Sequence, residues 1–370
     1  MSLGGNVRRK KRLGGLARAL LDGLAAASRR RVMPERRSRI GIFLFWGIGD
    51  AVQTLPLLQA IRQRWPEAEI VGLGKPWLAE LFDGEALFDS YADLVPPWTR
   101  HRGKYRVWDS AWRRFAGQIR SLRAAPFDLL VGLRPDPRDV VLARLLRSQA
   151  YAGLAAMGAG GWVSCDLGAG LTDLENCPGP ALAAHAARML TELAMPPVAR
   201  FAATKHAPAA WRRPVLAVAF GASHPIRRWN GAAIERVLNG LGSPPGTLVL
   251  VDQEGDAVLA APSGWELVRW QGNLRQLKAM LASVDLAFCT DSGVMHIADA
   301  AGAPVTALFT SGNIGRFAPP GQAIYAVEPM PCRPCGDHCI YSSPRCVDLI
   351  DETAVSALLR QGLTRRGQKP

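Results

Sequence analysis

The residues best equipped for chemistry lie in three short runs. In Trp46-Gly47-Ile48-Gly49-Asp50 a carboxylate stands beside two glycines, and Ala51-Val52-Gln53-Thr54-Leu55-Pro56 follows. Glycines at such a turn let a substrate approach the backbone. In Cys289-Thr290-Asp291-Ser292-Gly293-Val294-Met295-His296 an acid and a hydroxyl open a helical pattern. Asp291 or Ser292 can cap that helix, and its free N–H groups and dipole attract an anion. Ser292 adds a hydroxyl donor, and Gly293 removes the side chain that would block a phosphate. A capped structural helix with nothing bound explains the same residues. In Gly221-Ala222-Ser223-His224-Pro225-Ile226-Arg227-Arg228-Trp229 two adjacent arginines can neutralise a diphosphate, although loop arginines are commonly just solvated.

Each run needs a strand before it and a helix around or after it. An apolar stretch over 40–45 reads as a buried parallel strand, and 57–65 as a helix that stops before Pro66. Asp50 therefore falls at a strand-to-helix turn, where open α/β sheets bind their ligands. Further strands are expected at 68–73 and 127–133, with helices at 139–147 and 181–193. Prolines at 196–197 and 208–214 mark a linker. The pattern then restarts, with strands at 215–220, 247–251, 286–289 and 304–309 and helices at 231–241, 274–283 and 292–301. Alternating strands and helices imply two α/β domains with parallel sheets. The division expected is a basic arm over 1–39, an N-terminal domain over 40–195, a linker over 196–214 and a C-terminal domain over 215–370.

The net charge of +14 is concentrated in the arm. Residues 1–39 hold 12 Lys and Arg against Asp22 and Glu35, so +10 of the +14 sits there and about +4 remains for the body. Such a body does not suggest a nucleic-acid partner. Leu13, Leu16, Leu20, Leu21 and Leu24 fall at helical spacing between basic clusters. A basic amphipathic helix can lie on an anionic membrane surface, and a solvated tail is the alternative. Arg18 and Asp22 interrupt the apolar pattern, which argues against a signal peptide and for a cytoplasmic chain associated with the membrane periphery.

The three runs together resemble glycosyltransferase family 9, the bacterial heptosyltransferases. Gly47-Ile48-Gly49-Asp50 with Thr54-Leu55-Pro56 is similar to the family's G-D-x-x-x-T-L-P signature, and Asp291 to Ala298 to its D-[ST]-G-x-x-H-[LI]-[AT] signature, about 240 residues on. The resemblance implies a GT-B fold, two Rossmann-like domains facing across a cleft, and an inverting transfer of sugar, with ADP-heptose as donor and a lipopolysaccharide core or related envelope glycan as acceptor. It makes Asp50 the general base. Gly49, Arg227, Asp256, Asp291, Ser292, Gly293 and His296 are then expected on the donor side, with Asp256 near a ribose hydroxyl. Arg138 matches a basic residue of the family's acceptor half. No metal is needed if the cationic and N–H groups meet the leaving diphosphate. The chain departs from the pattern at Arg227, where Lys is usual, and at Thr310-Ser311-Gly312, where Gly-Pro-Thr is usual.

Two regions leave alternatives open. Trp98 to Arg123 is rich in Arg and Trp, so Arg113 and Arg114 either grip an anionic acceptor or form the solvated face of an amphipathic helix. Cys332, Cys335, Cys339 and Cys346 crowd one loop, and four thiols suit a structural Zn or Fe site; a reduced cluster in a C-terminal lid is the alternative. The rival functional class is a non-catalytic nucleotide-sugar-binding or scaffold protein. Within the enzyme class, a different donor or a protein acceptor is the alternative.

Overall fold

The computed structural model describes residues 37–99, 109–132, 137–157, 161–164, 170–171, 199–202, 211–221, 227–242, 245–251, 260–327, 332, 339–341 and 343–366. The expected helix over 181–193, Asp256, Cys335 and all of the basic arm before Arg37 lie outside these residues.

In the first half, β1 (Arg39–Leu44) leads through Trp46 into α1 (Ile48–Gln53) and α2 (Leu55–Arg64). Then come β2 (Glu69–Gly74), α3 (Trp77–Leu81), β3 (Ser90–Asp93), α4 (Ser110–Leu122), β4 (Leu129–Gly132), α5 (Pro137–Leu145), β5 (Ala150–Met157), β6 (Gly161–Ser164) and β7 (Gly170–Leu171). They form one sheet in the order β3-β2-β1-β4-β5-β6-β7. The first five strands are parallel, and β6 and β7 are antiparallel additions. Because β1 lies between β2 and β4, the chain leaves β1 at the point where strand order reverses.

The second half supplies β8 (Val215–Ala219), α6 (Gly231–Asn239), β9 (Thr247–Leu250), β10 (Glu266–Arg269), α7 (Leu274–Leu281), β11 (Leu286–Thr290), α8 (Gly293–Ala300), β12 (Val305–Phe309), α9 (Ile314–Phe317), β13 (Ala323–Ala326), α10 (Arg345–Asp348) and α11 (Glu352–Arg366). Its sheet runs β10-β9-β8-β11-β12-β13 and is parallel throughout. Again two central strands, β8 and β11, flank the reversal, and the Arg227 and Asp291 runs follow them. The apolar stretches read from sequence are the buried central strands, with β8 and β11 buried at every position. Phe220, Phe288, Leu308 and Leu359 belong to one core cluster around them.

The chain divides into two compact units. One holds Met1–Trp46, Thr54–Phe82 and Ala86–Pro197; the other holds Gly47–Gln53, Asp83–Glu85 and Val198–Pro370. The Gly47–Gln53 segment is thus grouped with the half that carries Asp291. Asp83–Glu85 is held in that unit by Arg275 on Asp83 at 2.8 Å and by Lys278 on Glu85 at 2.6 Å, the latter pair buried on both sides.

Candidate active site

The turn after β1 closes on itself. Gly47 donates its N–H to Asp50 Oδ2 at 3.0 Å, and Ala51 donates to the Gly47 carbonyl at 3.1 Å. Gly47 stands just before the first residue of α1, and Asp50 is the third residue of the helix. The carboxylate therefore reaches back to a backbone donor as the acid of a capping box does. One carboxylate oxygen is oriented by the backbone while Asp50 stays half-buried.

The turn after β11 is built differently. Asp291 is 4% exposed, and Arg227 Nη1 lies 3.6 Å from its Oδ2. Trp229, two residues beyond Arg227, is buried edge-on against Phe288 with ring centroids 6.3 Å apart, which anchors the arginine loop to the core. A Cβ on Gly312 would collide with Asp291 Oδ2, so the residue after Ser311 must be small for that carboxylate to keep its place. Ser292 precedes α8 with extended backbone (φ −150°, ψ 169°) and makes no side-chain cap. Its Oγ is buried without a hydrogen-bond partner, as is Ser311 Oγ. Two unsatisfied hydroxyls and the open N–H groups of α8 are donors suited to an anion.

The two turns meet inside the second unit. A Cβ on Gly49 would stand 2.6 Å from His296 Cδ2, and one on Gly293 would stand 3.1 Å from Ile48 Cβ. A side chain at 49 would collide with the His296 ring, and one at 293 would need Ile48 to give by a few tenths of an ångström. Burial of the His296 ring pushes its pKa down to about 4, partly opposed by the negative charge of Asp50. The imidazole is therefore neutral near pH 7.

Of the residues singled out from sequence, Asp50, Gly49, Gly293 and His296 are gathered here, and Asp291, Ser292 and Arg227 adjoin them at the start of α8. Arg113 and Arg114 lie exposed on α4, whose opposite side buries Ala111, Phe115, Ile119 and Leu122. The Arg138 guanidinium lies over the Trp98 ring at 5.3 Å. Cys346 is buried, Cys339 exposed and Cys332 between these extremes, all as free thiols. Among the described residues no three potential metal ligands gather, so the three described thiols do not by themselves form a metal set. Ser311 was missed as a site residue. Its only sequence signal was the altered Thr310-Ser311-Gly312 run.

Comparison with known proteins defines the class. The fold is GT-B. A glycosyl transferase family 9 structure from Veillonella parvula DSM 2008 superposes with a TM-score of 0.64 at 15% identity, covering 90% of this chain and 99% of that one. E. coli heptosyltransferase WaaC, solved with ADP, gives 0.63 at 12% identity, covering 88% and 99%. E. coli ADP-heptose lps heptosyltransferase II gives 0.61 at 16%, covering 89% and 99%. Comparison with curated proteins by sequence found no match. Residues 191–341 match the model of glycosyltransferase family 9 (heptosyltransferase). The match over this part of the chain agrees with the motif resemblance and supports a glycosyltransferase.

Proposed function

We propose that the protein is an inverting glycosyltransferase that moves heptose from ADP-heptose onto a lipopolysaccharide core or related envelope glycan. It would work at the cytoplasmic face of the inner membrane. The observation that carries this reading is the direct packing of the Gly49-Asp50 turn on α8, which brings a carboxylate near a helix start whose donors suit an anion. In the step proposed, Asp50 takes the proton of the acceptor hydroxyl while that oxygen attacks the anomeric carbon. The bond from that carbon to the diphosphate oxygen breaks on the opposite side of the sugar, and the electron pair leaves with the diphosphate. The first N–H groups of α8, the hydroxyls of Ser292 and Ser311 and the Arg227 guanidinium meet the charge that develops there. Neutral His296, wedged on Gly49, keeps the base and the donor helix in register. Asp256 is assigned to the ribose, and Arg113, Arg114 and Arg138 to an anionic acceptor.

Two of the similar structures support a nucleotide donor, since WaaC was solved with ADP and with ADP-2-deoxy-2-fluoro heptose. The test compares the wild type with Asp50→Ala, using ADP-heptose and a truncated core acceptor. Loss of turnover by about 10³-fold is expected. Equal turnover by both proteins would remove Asp50 as base, and absence of turnover with any nucleotide sugar would favour a binding protein.

A structural Zn or Fe at Cys332, Cys335, Cys339 and Cys346 is a separate proposal. It rests on the four-thiol spacing and on the similar fold of TibC, described as an iron-containing dodecameric glycosyltransferase (TM-score 0.56, 14% identity). Anaerobically purified protein should contain about one metal per chain; a folded, metal-free preparation would reject the site.

A further inference from the structure

The first unit carries a surface feature that sugar transfer does not use. An open groove of about 660 Å³ runs along α4 to the end of α5. Trp112, Phe115, Ile119 and Leu145 supply its apolar lining. Leu145 is 45% exposed, a large apolar side chain left in water. The Trp112 indole N–H has no hydrogen-bond partner. Arg120, Arg123 and Arg147 rim the groove; all three are exposed, and none forms a salt bridge among the described residues.

The charge and the backbone around the groove limit what it accepts. No acid occurs between Asp109 and Asp128, whereas Arg113, Arg114, Arg120 and Arg123 all do. The face is cationic without internal compensation. Arg147 sits at the exit of α5 with φ +57°. That left-handed position normally favours glycine, and a residue with a side chain there is strained. The guanidinium at the rim is kept at that backbone cost. The first described residues after the arm, Ser38 and Arg39, lie beside this groove. Ser38 donates its N–H to Asp128 Oδ2 at 2.7 Å, and the Arg39 guanidinium donates to the Ala125 carbonyl, next to groove residues Arg123 and Ala124.

We propose that this groove and its arginine rim form a docking surface for an anionic phospholipid bilayer, distinct from the arm. Acyl carbons would cover Leu145 and the aromatic lining, and the arginines would bind lipid phosphates. Trp112 has the amphipathic character of a side chain at a membrane–water boundary. The arm itself is a poor occupant. It carries +10, and placing it against three arginines would set like charges together. Arm and groove instead add, because both attract the same anionic surface. No helix among the described residues is long and apolar enough to cross a membrane.

The test is co-sedimentation of the full chain with vesicles of two kinds. One is phosphatidylcholine alone, and the other contains about 30 mol% phosphatidylglycerol, enough to give the surface the negative potential that attracts basic groups. Two backgrounds are needed: the natural chain, and a full-length variant with the basic residues at 8–12 and 29–31 changed to Gln. In the neutralised-arm background, binding to the anionic vesicles should persist above binding to neutral ones. Adding Arg120→Glu, Arg123→Glu and Arg147→Glu should weaken it at least tenfold. Leu145→Ser should weaken it several-fold with the charges intact. If the triple variant fails to fold, Arg147→Gly is the second measurement. It removes the backbone strain, so it should raise the melting temperature while still lowering vesicle binding. Loss of all anionic-vesicle binding once the arm is neutralised would overturn the proposal, as would unchanged binding by the groove variants or equal binding to both vesicle types.

Discussion

The turn after β1 and the turn after β11 share a plan and differ in electrostatics. Each leaves the carboxyl end of a central strand, places an aspartate at the exit and starts a helix near a glycine. Asp50 is half-buried and receives a backbone N–H from Gly47 at 3.0 Å. Asp291 is 5% exposed at its side chain and faces Arg227 at 3.6 Å. A carboxylate still in reach of solvent can meet a substrate hydroxyl. One buried against a guanidinium is fixed by that charge and serves as scaffold for the loops around it. The same residue type in the same kind of turn is thus assigned two roles by its surroundings.

The largest effect that would break this contrast comes from exchanging the roles. Asp50→Asn should lower turnover about 10³-fold and leave ADP affinity within about threefold. Asp291→Asn should instead loosen the Arg227 loop and weaken ADP binding by about tenfold, read by calorimetry. If both variants lose turnover with unchanged ADP affinity, the two turns do not differ as described.

Gly49→Ala comes next. Its Cβ would press into the His296 ring at 2.6 Å, and we expect about 1–3 kcal/mol of destabilisation in denaturant unfolding. Pairing it with His296→Ala should recover part of that loss. A fully stable single variant would show that α1 and α8 do not interlock.

A dependence on pH is also expected. His296 titrates near 4 in the folded protein and at 6.5 when unperturbed. Between these values the unfolded chain binds the extra proton, so stability rises with pH through this window and falls as pH drops from 6.5 toward 4. His296→Gln should flatten that part of the stability profile. Ser311→Ala should be the mildest change, weakening ADP binding by about two- to fivefold, or about 0.5–1 kcal/mol for one neutral hydrogen bond.

Much of this was legible before the fold was seen. The strands expected at 40–45, 215–220 and 286–289 are β1, β8 and β11 with their ends moved by a residue or so, because continuous apolar runs bounded by turn residues are how central parallel strands read. The Arg- and Trp-rich stretch contains a helix capped by Asp109, whose side chain accepts the Ala111 N–H. Shorter elements such as β6, β7 and α9 escaped, since two to four residues carry no usable period. Ser311 escaped because a lone serine after a strand has no pattern, and only its burial without a partner marks it.

The order of residues alone settled the α/β class and the two strand-to-helix turns, because periodicity and short motifs are local properties. Which atoms of those turns touch was decided only in three dimensions. Gly49 is required by a histidine ring 247 positions away in the chain, and Gly312 by the carboxylate of Asp291. The neutral state of His296 and the pairing of Asp291 with Arg227 likewise come from burial and proximity, which no linear spacing encodes.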